Sequence, residues 1–137
     1  MTRHSSLLLA ALALGCAASE PGGASDTAAG GLTTGRHTLE HDGRVRDFSL
    51  YVPDDLVPGA PLLIALHGYS SRAESLQAYA GFDHRADEHG FVVAYPDGVR
   101  DDWGYRYWEV GYAFHDGSVD DVGFLRALAD HVSTDLD

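Results

Sequence analysis

The stretch that most restricts the fold of this 137-residue chain is Leu62-Leu63-Ile64-Ala65-Leu66, which runs straight into His67-Gly68 and then into a helix start. A continuous apolar run of this length is expected of a central strand buried on both faces of a sheet. Ser71-Arg72-Ala73-Glu74 has the spacing of a capping box, which sets the start of a helix. That helix is expected to break near Gly81, resume to His89 and stop on Gly90 as a C-terminal cap. Phe91-Val92-Val93-Ala94-Tyr95 is the next strand, ended by Pro96.

Upstream, His37 to His41 and Arg44 to Val52 read as two strands joined by Asp42-Gly43, the strongest short hairpin signal. Phe48, Leu50 and Val52 alternate with Ser49 and Tyr51, the period of a half-buried strand. Downstream, a polar and aromatic loop runs from Asp97 to Gly117. Ser118-Val119-Asp120-Asp121 then forms a second capping box. In the helix that follows, Val119, Val122, Leu125, Leu128, Ala129 and Val132 form an apolar stripe. A hairpin followed by β-α-β-α defines an α/β fold with helices on a mostly parallel sheet.

The first residues form a different kind of segment. Thr2-Arg3-His4 is a basic start, and Leu7 to Leu14 is an apolar run far shorter than a membrane-spanning helix but suited to a signal-peptide core. Ala13-Leu14-Gly15-Cys16 resembles a bacterial lipobox, with Ala where the third residue before the cysteine is usually Leu. Residues 1–16 are therefore read as a signal peptide whose Cys16 becomes lipidated. The other reading is an ordinary signal peptide cut near Ala17-Ala18-Ser19. Cys16 is the only cysteine, so an internal disulfide is impossible, which suits a cysteine that carries lipid. Residues 17–35 have the composition of a flexible tether, and the globular pattern occupies 36–137. The expectation is an exported protein, either a cell-surface or periplasmic lipoprotein or a secreted one, that meets a membrane only through lipid.

The formal net charge is -12, from nine Lys+Arg against 21 Asp+Glu. Such a domain repels the phosphates of nucleic acids and anionic membrane surfaces, which argues against nucleic acid as a partner. No metal site is expected. His37 and His41 share a strand face, and Asp83, His84, Asp87 and His89 fall in one helical stretch, but no H-E-x-x-H or H-x-x-E-H occurs. Asp97, Asp101, Asp102, Asp116, Asp120 and Asp121 lack the spacing of a calcium loop and read as solvated charge.

The Gly-x-Ser-x-Gly pattern that presents a nucleophilic serine on a strand-to-helix turn is absent from the sequence. Ser70 and Ser71 have no base marked beside them and are read as helix-capping residues. Tyr95-Pro96-Asp97-Gly98 lies where a strand ends, the edge on which α/β sites form, although a plain turn is the preferred reading. Trp103, Tyr105, Tyr107, Trp108, Tyr112 and Phe114 crowd the loop. They either wall a substrate site or pack the loop onto the sheet.

Four stretches in order carry a resemblance: Pro61 to Gly68, Ala86 to Gly98, Trp108, and Val119 to Leu125. They make residues 36–137 similar to the N-terminal half of the secreted polyhydroxybutyrate depolymerase and feruloyl or acetyl-xylan esterase group of α/β-hydrolases. The resemblance implies a serine-dependent ester hydrolase that needs no cofactor and acts on a polyester or a plant cell-wall ester. It implies a partial α/β-hydrolase fold, truncated before the nucleophile strand, with the catalytic serine, acid and histidine outside this chain. By the same resemblance the backbone N–H of Tyr69 belongs to the oxyanion hole and Gly68 permits close approach to it. His67 shapes the turn without acting as base, and Trp108 with Tyr69 contacts substrate. Members of the group often carry a cysteine pair where this chain has Tyr69 and Tyr107. The chain as it stands is expected to be an inactive fragment. The alternative is a non-catalytic surface lipoprotein that uses a hydrolase-like frame as a binding module.

Overall fold

The computed structural model describes residues 31–112 and 116–136. The signal peptide with Cys16, residues 17–30 of the tether and Phe114 lie outside the described residues. Strands β1 (Gly35–His41) and β2 (Arg44–Tyr51) form an antiparallel hairpin. Its turn residues Asp42 and Gly43 both have positive φ, 49° and 68°, as a two-residue turn that follows the strand twist requires. The hairpin is joined to the core earlier than the tether reading placed it. Leu32 packs against the core cluster, and the Thr34 hydroxyl donates to Val52 O and accepts from Val52 N–H.

Strand β3 (Leu62–Ile64) leads through the His67-Gly68 turn to helices α1 (Ala73–Ala80) and α2 (Phe82–His89) and then to strand β4 (Val92–Pro96). Gly81 and Gly90, at φ 69° and 68°, separate and end the two helices where expected. The four-stranded sheet has the order β1-β2-β4-β3. It is mixed rather than mostly parallel. Only β3 and β4 run parallel, because the partner on the far side of β4 is the returning arm of the hairpin. The interior strands are β2 and β4, and the Leu62 to Leu66 run is not central here but an edge beside β4, as expected of a fold truncated before the nucleophile strand. Every residue of β4 is buried, whereas Leu63 is 36% and Leu66 45% exposed, because β3 is paired on one side only.

Alternation along β4 feeds two cores. Val92 and Ala94 meet Phe48 and Leu50 of β2 beneath helix α3 (Asp121–Leu136), while Val93 and Tyr95 meet Ala73, Leu76 and Ala86 of α1 and α2. Strands β5 (Val99–Arg100) and β6 (Arg106–Tyr107) form a separate small antiparallel hairpin ahead of α3 in the chain. The buried stripe of α3 is Phe124, Leu128 and Val132, spaced by one turn each, and Val122 is instead 58% exposed.

None of the predicted capping serines, Ser70, Ser71 and Ser118, gives a cap bond to α1 or α3. Asp120 Oδ1 accepts the Gly123 N–H at 2.8 Å at the start of α3, where Ser118 was expected. At the start of α1 the Ala73 N–H goes to Asp97 Oδ1 at 2.8 Å, and no cap side chain contributes. A buried ion pair, Arg46 to Asp121 at 2.7 Å with both side chains 4% exposed, ties β2 to the first turn of α3. The Arg46 guanidinium lies 4.0 Å over the Phe124 ring.

Candidate active site

The site is built on the turn that leaves β3. Ser71 N–H donates to Gly68 O at 3.1 Å, and Ser70 has φ 62°, so residues 68–71 form a reverse turn with positive φ at its third residue. A side chain other than glycine is rare there, and the conformation is held by bonds from outside the turn. Ser70 N–H donates to Arg106 O at 2.9 Å. The Trp108 indole Nε1–H donates to His67 O at 2.9 Å. Tyr69 N–H is left without an acceptor among the described residues.

His67 is buried, and its hydrogen bonds fix its tautomer. Gly98 N–H donates to Nε2 at 3.0 Å, so Nε2 is an acceptor and Nδ1–H donates to Gly68 O at 2.8 Å. Both ring nitrogens are thereby committed to backbone, and the 3.7 Å approach of Nε2 to Asp97 is no ion pair. The ring faces Trp108 at 5.2 Å between centroids.

Asp97, read from sequence as part of a plain turn and as solvated charge, is instead the buried polar hub behind this turn. Its side chain is 1% exposed. Besides the Ala73 N–H, its carboxylate receives Arg36 at 3.1 Å and Arg106 at 3.2 Å. Arg106 also donates to Gly98 O at 2.8 Å. Gly98 is required sterically, because a Cβ there would overlap the Tyr107 carbonyl. A Cβ on Gly68, by contrast, would meet open space, so no described residue explains that glycine.

Beside the turn lies a cavity of about 630 Å³ lined by His67, Gly68, Tyr69, Trp103, Tyr107, Trp108, Val110 and Tyr112. The structure thus brings His67, Gly68, Tyr69 and Trp108 to one place, together with three further loop aromatics. Tyr105 stays off the cavity wall and meets the Tyr69 ring at 5.8 Å. Among the described residues, no group of three His, Cys, Asp or Glu side chains is arranged to hold a metal. His37 stacks on Phe48 and His41 bonds Asp120 at 3.1 Å. No helix among the described residues is long and apolar enough to cross a membrane.

No protein-family model matches the chain. It is 37% identical over 68 residues to the bifunctional acetylxylan esterase/xylanase XynS20E of Neocallimastix patriciarum, covering 50% of this chain and 10% of that protein. It is 30% identical over 94 residues to "Putative esterase NocK" of Nocardia uniformis subsp. tsuyamanensis, covering 66% of this chain and 27% of that protein. Among solved structures it is similar to native sOPH, with TM-score 0.61 and 25% identity over 78% of this chain and 41% of that one. The chain spans less than half the length of each. The similarity is to esterase-type hydrolases, and the described residues of this chain form a partial α/β fold.

Proposed function

We propose that this chain supplies the oxyanion turn and an aromatic substrate wall of an exported, serine-dependent ester hydrolase of the polyhydroxybutyrate depolymerase and feruloyl or acetyl-xylan esterase group. The observation that carries the reading is the uncommitted N–H of Tyr69 beside a cavity walled by aromatic rings. When a nucleophile adds to an ester, negative charge grows on the carbonyl oxygen. A fixed N–H aimed at that oxygen needs no reorientation, and loss of one such donor costs about 10²–10³ in rate. Gly68 leaves the approach clear. His67 is not the base, since both of its nitrogens are already bonded. The nucleophile, base and acid belong outside these residues, and this chemistry needs no cofactor. Export and lipidation at Cys16 rest on the pattern of residues 1–16.

A second reading, a surface lipoprotein whose cavity binds without catalysis, rests on the same aromatic cavity. Both tryptophans of the chain line the cavity, so all of its tryptophan emission reports on that space. Titration with ethyl ferulate, a methyl-ester trimer of 3-hydroxybutyrate and acetylated xylobiose tests both readings. At least one probe should quench the emission, and Trp108→Ala should abolish the response. No response to any probe contradicts both readings, and hydrolysis of the bound ester by the product of the whole reading frame that contains these residues selects the first.

A further inference from the structure

We infer that Asp97 is the positioning residue for the Tyr69 N–H, acting through the β5–β6 hairpin as a clamp on the turn. The inference rests on the reading of Tyr69 as an oxyanion donor. The bonds that hold residues 67–73 from outside run to residues 97–108. Gly98 N–H holds the His67 ring at 3.0 Å, Trp108 holds the His67 carbonyl at 2.9 Å, Arg106 O holds Ser70 N–H at 2.9 Å, and Asp97 Oδ1 holds Ala73 N–H at 2.8 Å. The turn is therefore fixed at its start, middle and end, and the Tyr69 N–H, like those of His67, Gly68 and Arg72, has no acceptor among the described residues.

The hairpin is in turn assembled on the Asp97 carboxylate. Arg106 reaches Asp97 Oδ2 at 3.2 Å with one nitrogen and Gly98 O at 2.8 Å with the other. That guanidinium brings the Arg106 carbonyl to Ser70. Asp97 itself is anchored in the sheet, where its N–H donates to Asp47 O at 2.9 Å and its carbonyl accepts from Arg46 at 3.2 Å. A charged, nearly inaccessible carboxylate thus transmits the position of β4 to a turn that carries positive φ at Ser70. An oxyanion donor must be fixed before the charge develops, and this clamp supplies that fixation.

Backbone amide relaxation by NMR on the full chain tests the clamp without any need for catalysis, so its outcome is separate from that of the esterase reading. Asn at position 97 preserves shape and an acceptor for Ala73 but removes the charge that holds Arg106. In the native chain the Tyr69 amide should show an order parameter of about 0.85, and in Asp97→Asn one below about 0.6. Val93 and Ala94 in β4 should stay at about 0.85 in both. Asp47→Asn removes a carboxylate that also faces Arg36, at 3.5 Å, and should leave Tyr69 unchanged. If Asp97→Asn does not fold, Arg106→Lys carries the same comparison. An unchanged Tyr69 amide in a folded variant overturns the proposal. So does equal loosening of Tyr69 and Val93, which is what a purely structural carboxylate would give.

Discussion

The Tyr69 hydroxyl donates to Asp101 Oδ2 at 2.8 Å, tying the side chain that follows the His67-Gly68 turn to the β5–β6 hairpin. The backbone N–H of the same residue has no acceptor among the described residues, so one residue is held by its phenol and offers its amide. The Asp101 Oδ1 atom meanwhile accepts Tyr105 N–H at 2.8 Å and Trp103 N–H at 3.0 Å, which orders the hairpin tip.

This pair has a pH signature. Partial burial pushes the Asp101 carboxyl up, but the Tyr69 hydroxyl and the backbone N–H groups outweigh it and leave it below its usual 3.8. The hydrogen bond to Asp101, with some burial, raises the Tyr69 phenol above its usual 10.0. A carboxyl lowered by folding contributes stability above its unfolded value, and that contribution is lost as pH falls through the folded one. A phenol raised by folding contributes below its unfolded value, and that contribution is lost as pH rises through the folded one. Tyr69 should therefore stay anchored across the whole neutral range. In Asp101→Asn its pKa should fall toward 10.0, read as the difference between the phenolate absorbance titrations of variant and native chain.

Two glycines should behave in opposite ways. Gly98→Ala places a methyl on the Tyr107 carbonyl and should destabilise the fold by about 1–3 kcal/mol in urea unfolding. Gly68→Ala meets open space and should change stability by less than about 0.5 kcal/mol. The same substitution should weaken binding of an ester probe in the tryptophan titration, because Gly68 lines the cavity.

The Arg46–Asp121 pair should be expensive to break and cheap to replace. Asp121→Ala leaves a buried guanidinium unpaired and also removes the acceptor of Glu109 N–H at 2.6 Å. A loss of about 3–5 kcal/mol is expected in thermal or urea unfolding. Arg46→Met with Asp121→Leu should recover most of that loss, since a well-packed apolar pair avoids the desolvation of two charges.

The parts of the fold written into local spacing were legible. Asp42-Gly43 specified the hairpin turn, and Gly81 and Gly90 marked the helix ends, because each acts within a few residues. The apolar run at Leu62 announced a strand, but its apolar character alone read as burial on both faces. Placement depends on which neighbours pair, and the more uniformly buried strand proved to be β4. His67, Gly68, Tyr69 and Trp108 were found through a resemblance, and the structure gathers them around one cavity. Asp97 was passed over because its partners lie far along the chain. The Ala73 N–H is 24 residues away and Arg36 is 61. A local capping motif at Ser71 competed for the same N–H, and nothing in the sequence showed that the distant carboxylate takes it. Val110, flanked by polar residues and glycine, gave no signal as a cavity wall.

The central claim is that the Tyr69 N–H stabilises an oxyanion, and replacing Tyr69 by proline removes that hydrogen directly. The measurement is hydrolysis of p-nitrophenyl acetate by the product of the whole reading frame that contains these residues, compared with its Tyr69→Phe and Tyr69→Pro variants. Tyr69→Phe, which keeps the N–H, should stay within about threefold of the parent. Tyr69→Pro should lower kcat by about 10²–10³ with KM little changed, as loss of a donor used only in the transition state requires. A parent that does not hydrolyse the ester, or a Tyr69→Pro variant that keeps the parent's kcat, would contradict the account.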